Sequence, residues 1–253
     1  MTPRATPSSG HSGAPDSALI LIVDDDSSLR AAVATALRTI AREFVEAGSA
    51  AEALELASAQ RVDLIVLDLG LPDGGGAELC RELRRVTTVP IVVLTARHAE
   101  MEKVDLFNAG ADDYVTKPFG AMELGARVAV QLRRMRERPT APHNVLIAGS
   151  LRIDFDHRVI TRQITFPVHK SEAPLPRARL TPTEWEILRA LSRERGKVYT
   201  HQQIFDMVWS RDYGDARQYL RVHVTNLRRK IEENPANPNI IVTEPGVGYR
   251  LNV

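Results

Sequence analysis

Five short apolar runs recur at even spacing through the first half of the chain: ALILIV (18–23), FVEA (44–47), DLIVLD (63–68), PIVVLT (90–95) and DYVT (113–116). Segments of helical length separate them. Residues 28–40 carry Leu29, Val33, Leu37 and Ile40 at helical spacing, 51–59 are rich in Ala, Leu and Glu, and 77–86 put Leu79, Leu83 and Val86 on one face. A last helix of about 120–135 ends in QLRRMRERPTAP, where charge and two prolines stop it. Strand runs that are apolar throughout belong in a sheet covered on both faces. The alternation predicts a five-stranded parallel α/β sheet, doubly wound in the flavodoxin-like manner by right-handed crossovers.

The second half reads differently. Residues 145–168 alternate apolar and polar side chains with turn-prone breaks, the pattern of short antiparallel strands. LTPTEWEILRALSRERG (180–196) opens a helix with Thr181 as cap, Pro182 at the first helical position and Glu184 three residues after the cap, and Thr200 caps a second helix. A long amphipathic segment spans about 215–233, and EPGVGY (244–249) between IIVT and RLNV reads as a hairpin. Three helices closed by a hairpin predict a winged helix-turn-helix. The expected divisions are a disordered tail (1–17), an α/β domain (18–136), a linker (137–144) and a winged-helix domain (145–253).

Charge divides along the same line. Residues 1–144 carry 16 basic and 20 acidic side chains, a net of −4, whereas residues 145–253 carry 17 and 12, a net of +5. The basic half is compatible with nucleic acid. One cysteine, Cys80, excludes an intrachain disulfide, and no run approaches the roughly 18 apolar residues of a membrane span, so a cytoplasmic location is expected.

Chemistry concentrates where the first-half strands end, which is where open parallel sheets place their sites. Asp24 and Asp25 end the first run, Asp68 the third, Thr95 the fourth, and Lys117 follows the fifth. Three converging carboxylates repel one another unless a cation joins them, and hard oxygen ligands in a partly open site favour Mg²⁺. Asp26 reads as a solvent-facing or helix-capping residue, and GGG (74–76) as a turn before a helix, since no phosphate-cradling glycine motif surrounds it.

In the amphipathic segment Leu220, Val224, Leu227 and Ile231 form an apolar stripe. The other faces carry Arg217, Arg221, His223, Thr225, Asn226, Arg228 and Arg229, a division suited to a helix that is buried on one side and meets DNA on the other.

LIVDDD, LDLGLPDG, VVLTA and DDYVTKPF, in that order, resemble a receiver domain, and YLRVHVTNLRRKIE followed by TEPGVGYRL resembles the winged helix of the OmpR/PhoB family of two-component response regulators. The resemblance implies that Asp68 accepts a phosphoryl group from a sensor histidine kinase. It further implies that Asp25, Asp68 and the main-chain carbonyl of Gly70 coordinate Mg²⁺, with Asp24 acting mainly through a metal-bound water. Thr95 and Lys117 would hold the phosphoryl oxygens, the Lys117–Pro118 bond would be cis, and Thr95 with Tyr114 would form a switch. On a two-fold receiver dimer formed on phosphorylation, Lys103 would meet Glu123, Asp112 would meet Arg134, and Asp113 would meet Arg127. Val222, Thr225, Asn226 and Arg228 would reach the major groove of promoter DNA, and Thr243 and Tyr249 would contact it from the wing. RNA polymerase is a further implied partner. The chain would be no enzyme beyond its own phosphorylation and dephosphorylation.

Pro245 stands where the family commonly has a wing arginine, and residues 165–179 are expected to form an extra loop. DLGLPDGGG and PFGAMEL look most like the regulator of a potassium-uptake ATPase operon. Two other readings are a haloacid-dehalogenase-like phosphatase, which needs an aspartate where Gly70 stands, and a DNA-binding protein that ignores phosphorylation.

Overall fold

The computed structural model describes residues 18–252 except 74, 97–99, 137–144, 166–169, 175–178 and 210–215, and within its elements leaves aside the side chains of 100–103, 136, 163–165, 170–174 and 216–217. The expected tail and linker therefore lie outside the described residues.

The first half alternates strands β1 (Leu19–Val23), β2 (Glu43–Ala47), β3 (Leu64–Asp68), β4 (Ile91–Thr95) and β5 (Asp113–Thr116) with helices α1 (Ser27–Leu37), α2 (Ala50–Ala59), α3 (Gly76–Val86), α4 (Glu100–Ala109) and α5 (Ala121–Arg136). The sheet is parallel, in the order β2-β1-β3-β4-β5. Every residue of β3 and β4 is buried. The two-residue period of a strand explains how. Leu21, Val23, Ile65, Leu67, Ile91 and Val93 face one layer with Leu79, Leu83 and Leu106, while Ile20, Ile22, Leu64, Val66, Val92 and Leu94 face the other with Val33, Leu37, Leu124 and Val128. Edge strand β2 carries Glu43 exposed, and charge on an unpaired edge discourages further pairing.

Local chemistry sets the helix starts. Asp26, exposed to solvent, caps α1 by accepting from the N–H groups of Ser28 (2.8 Å) and Leu29 (3.4 Å), so of the two expected roles it fills both. Gly75 precedes α3, and a Cβ on Gly76 would stand 2.4 Å from Leu69 Cα, so only glycine lets this helix start against the end of β3. Val86 departs from expectation: it is half exposed, because α3 ends there and only Leu79 and Leu83 reach the core.

The second half begins with β6 (Val145–Ala148), β7 (Leu151–Asp154), β8 (Val159–Thr165) and β9 (Lys170–Pro174), an antiparallel sheet in that order. β9 corrects the expectation of an extra loop over 165–179, since residues 170–174 pair in register with 161–165. Helices α6 (Pro182–Ser192), α7 (His201–Val208) and α8 (Ala216–Ile231) follow, with β10 (Val198–Thr200) between the first two and the hairpin β11 (Ile241–Glu244) and β12 (Gly248–Leu251) at the end. β10 joins the hairpin into a three-stranded sheet, β10-β12-β11, and a Cβ on Gly248 would lie 1.9 Å from the Tyr199 carbonyl oxygen. Thr181 and Thr200 each form a complete capping box, with Glu184 and Gln203. Buried Glu184 also takes Lys230 at 2.6 and 2.8 Å, tying the start of α6 to the end of α8.

The halves share one apolar layer. Helix α8 packs on α4 and α6 on α5, so the cluster that holds Leu106 and Phe107 continues into Tyr219, Leu220 and Val222.

Candidate phosphorylation site and nucleic-acid interface

The carboxyl ends of β1, β3 and β4 bring Asp24, Asp68 and Thr95 together, and all three are buried. Asp25 is exposed beside them. Asp24, Asp25 and Asp68 each offer an oxygen, and these oxygens lie within 4.8 Å of one another. Lys117 reaches in from the end of β5: its Nζ is 2.7 Å from Asp68 Oδ1 and 3.2 Å from Asp24 Oδ2. The Lys117–Pro118 peptide is cis, and the Lys117 N–H donates to the Thr95 carbonyl at 2.7 Å. A cavity of about 400 Å³ opens over Asp68, bordered by Gly70, Gly76, Thr95, Asp105 and Lys117.

Electrostatics at the rim are finely opposed. Burial pushes the Asp24 carboxyl above its ordinary range, the charge of Asp68 adds to that, and the Asp26 N–H (2.9 Å) together with Lys117 pulls it back. One ammonium therefore serves two carboxylates, with a third at hand. This donor set of clustered carboxylates suits a hard divalent cation such as Mg²⁺, which would relieve the remaining repulsion. Gly70 stands beside the cluster; a Cβ there would lie 3.0 Å from Asp68 Oδ2. Arg30, which carried no signal in the sequence, fixes the rim from below by donating to the carbonyls of Asp24 (2.7 Å) and Asp25 (3.3 Å) and pairing with Glu46 at 2.8 Å.

Tyr114 is buried away from this cavity at the junction of the halves. Its hydroxyl hydrogen-bonds that of Tyr219, and both rings pack on Phe107, at 5.9 and 5.4 Å. The residues expected on a dimer face are engaged within this one chain. Asp112 is fully buried, pairs with Arg84, and accepts from the N–H groups of Ile91 and Thr183, each at 3.0 Å. Arg127 pairs with both Asp113 (3.2 Å) and Glu123 (3.0 Å), and buried Arg134 donates to Gln131 at 3.3 Å. The Lys103 side chain lies outside the described residues.

Helix α8 divides its predicted contact residues. Arg221, Thr225 and Arg229, spaced four apart, are exposed along one face, and Thr243 is exposed on β11. Val222, His223 and Asn226 are buried toward α4, where the Asn226 amide donates to the Phe107 carbonyl at 3.2 Å. Arg228 turns to the hairpin, donating to the Ile241 carbonyl (2.6 and 3.0 Å) and Thr243 Oγ1 (2.8 Å) and covering the ring of buried Tyr249. The Arg217 side chain lies outside the described residues.

An acidic, lysine-closed rim on a doubly wound sheet, joined to three helices and a wing, defines a receiver coupled to a winged helix. The chain matches the family "Response regulator receiver domain" over residues 20–129 and "Transcriptional regulatory protein, C terminal" over 176–251. It is 40% identical to the KDP operon transcriptional regulatory protein KdpE of Escherichia coli over 92% of this chain and 98% of that one, and 39% identical to the sensory transduction protein RegX3 of Mycolicibacterium smegmatis, again over 92% and 98%. A solved cysteine-to-aspartate mutant of RitR shares the fold at a TM-score of 0.70 and 23% identity, over 93% of this chain and 99% of that one. The chain belongs to the OmpR/PhoB family of response regulators. Receivers of this kind catalyse only their own phosphorylation and dephosphorylation. Among the described residues no helix is long and apolar enough to cross a membrane.

Proposed function

We propose that this protein accepts a phosphoryl group on Asp68 from a sensor histidine kinase and, in response, binds promoter DNA through its winged helix as a homodimer. The observation that carries the reading is the placement of Lys117 Nζ between Asp68 and Asp24 at the mouth of an open cavity. Asp68 lines that cavity with Lys117 Nζ 2.7 Å away, and this ammonium is suited to neutralise charge on a transferring phosphoryl group. Mg²⁺, held by Asp25, Asp68 and the Gly70 carbonyl with Asp24 alongside, would supply further neutralisation of that charge. Thr95, buried at the same rim, is in place to bind a phosphoryl oxygen and, with Tyr114, to relay its arrival.

In this reading residues 18–136 are the receiver, 137–144 the linker and 145–253 the DNA-binding domain. The exposed row Arg221, Thr225 and Arg229 supplies the first contacts of α8 with DNA, Val222, His223 and Asn226 join when α8 leaves α4, and Arg217 contributes a further contact from the start of the helix. The dimer through Lys103, Asp112, Asp113, Glu123, Arg127 and Arg134 needs the same face of the receiver that α6 and α8 cover here, so forming it requires the halves to separate. The likeness to a potassium-uptake regulator is matched by that to RegX3, and the target operon is to be read from the DNA itself. Genomic fragments bound by the acetyl-phosphate-treated protein should be recovered and their affinity measured with and without phosphorylation. Tighter binding after phosphorylation supports the reading, and equal affinity overturns it.

A further inference from the structure

We propose that His223 is a proton-operated latch between the two halves: its neutral imidazole holds α8 against the receiver, and its protonation releases the helix. This inference rests on the reading of α8 as the DNA-contacting helix.

The latch is visible in the packing. His223 is 2% exposed, and its ring lies 4.6 Å from that of Phe107 on α4 and 5.5 Å from that of Trp209 at the end of α7. Among the described residues its buried Nε2 has no hydrogen-bond partner. Phe107 in turn touches Tyr114 and Tyr219, so the imidazole is one member of an aromatic group contributed by both halves. A neutral ring suits that setting. A charged one would place an N–H⁺ against carbon, with no acceptor for it among the described residues.

Charged groups of both signs surround it. Asp112, just before β5, favours the proton, while Lys230 on α8 and Arg134 on α5 oppose it. Burial is the largest influence; with Lys230 and Arg134 acting in the same direction and Asp112 alone opposing, it pushes the imidazole down to about 4 from its ordinary 6.5. The sign follows from linkage: the closed arrangement disfavours the proton, so its advantage is complete above about pH 6.5 and is lost as pH falls toward 4. With those two values the ratio of open to closed chains rises about thirtyfold between pH 7.5 and pH 5. The same proton adds a positive charge to the helix face that opening frees, and one more cation near phosphate steepens the salt dependence of DNA binding by about one unit.

Small-angle scattering of the full-length, unphosphorylated, metal-free chain from pH 7.5 to 5 tests this, with secondary structure followed in the same samples. The wild type should expand as pH falls, whereas His223→Gln and His223→Phe, which cannot titrate, should stay at their pH 7.5 dimensions. His223→Lys should be expanded already at pH 7.5. Expansion of the Gln and Phe variants in step with the wild type overturns the latch, as does a wild type that stays compact throughout. DNA affinity, measured in parallel, separates the two readings. Expansion that depends on His223 without a gain in DNA binding keeps the latch and removes the role of α8. A phosphorylation-driven gain in DNA binding with no such expansion keeps α8 and removes the latch.

Discussion

Lys117 Nζ lies 2.7 Å from Asp68 and 3.2 Å from Asp24, so one ammonium from the end of β5 neutralises carboxylates from two other strands. Replacing Lys117 with Ala removes the charge that would meet a transferring phosphoryl group. Loss of one such preorganised donor typically lowers rate by about 10²–10³. The initial rate of phosphoryl uptake from acetyl phosphate should fall by that order, and an unchanged rate would remove Lys117 from the site.

Burial and the nearby charge of Asp68 raise the proton affinity of Asp24, and a cation at the rim would compete with that proton. Mg²⁺ binding is therefore expected to release protons, and its affinity to weaken on acidification while still above the ordinary aspartate range. Titration calorimetry in two buffers of different ionisation enthalpy measures the proton count. Chelation of the metal should bring labelling by acetyl phosphate to background. Proton release of zero in both buffers would contradict the role given to Asp24.

Gly76→Ala tests why α3 starts where it does. The added methyl would lie 2.4 Å from Leu69 Cα and 3.1 Å from the Asp68 carbonyl oxygen, too close for either backbone to ignore. Overpacking of this kind costs about 1–3 kcal/mol, to be read as a lower urea midpoint with unchanged slope. Because the strain falls on the backbone that carries Asp68, phosphoryl uptake should slow as well.

On the proposed reading, the exposed row on α8 separates arginines that would meet phosphate from one that builds the wing. Arg221→Ala and Arg229→Ala should each weaken DNA binding and lower the salt slope by about one. Arg228→Ala should instead loosen the hairpin, since its guanidinium holds the Ile241 carbonyl and Thr243. Affinity, salt slope and thermal midpoint of the three variants distinguish the roles. A slope unchanged by Arg221→Ala and Arg229→Ala would move the DNA-binding face elsewhere on the helix.

The pocket was legible because it follows from topology. Once β/α alternation is recognised, Asp24, Asp68, Thr95 and Lys117 have to sit at strand ends on one rim. The capping boxes at Thr181 and Thr200 were legible for a similar reason, being local. What the sequence did not show is how the halves meet. Nothing in the pattern of α3 distinguishes Arg84 from its neighbours, yet it pairs with Asp112, which in turn receives the N–H of Thr183 from the other half. Helical periodicity assigned His223 and Asn226 to the polar face of α8, and they are polar, but α4 covers them. Strand β9 was hidden by its own composition: KSEAP has charge and proline, and its pairing comes from β8.

The central claim is that Asp68 carries the phosphoryl group, and labelling with radioactive acetyl phosphate in Mg²⁺ tests it most directly. The wild-type chain should acquire one acid-stable, base-labile phosphoryl group, and Asp68→Asn should acquire none while keeping the wild-type fold by circular dichroism. Labelling of Asp68→Asn to the wild-type level would contradict the account.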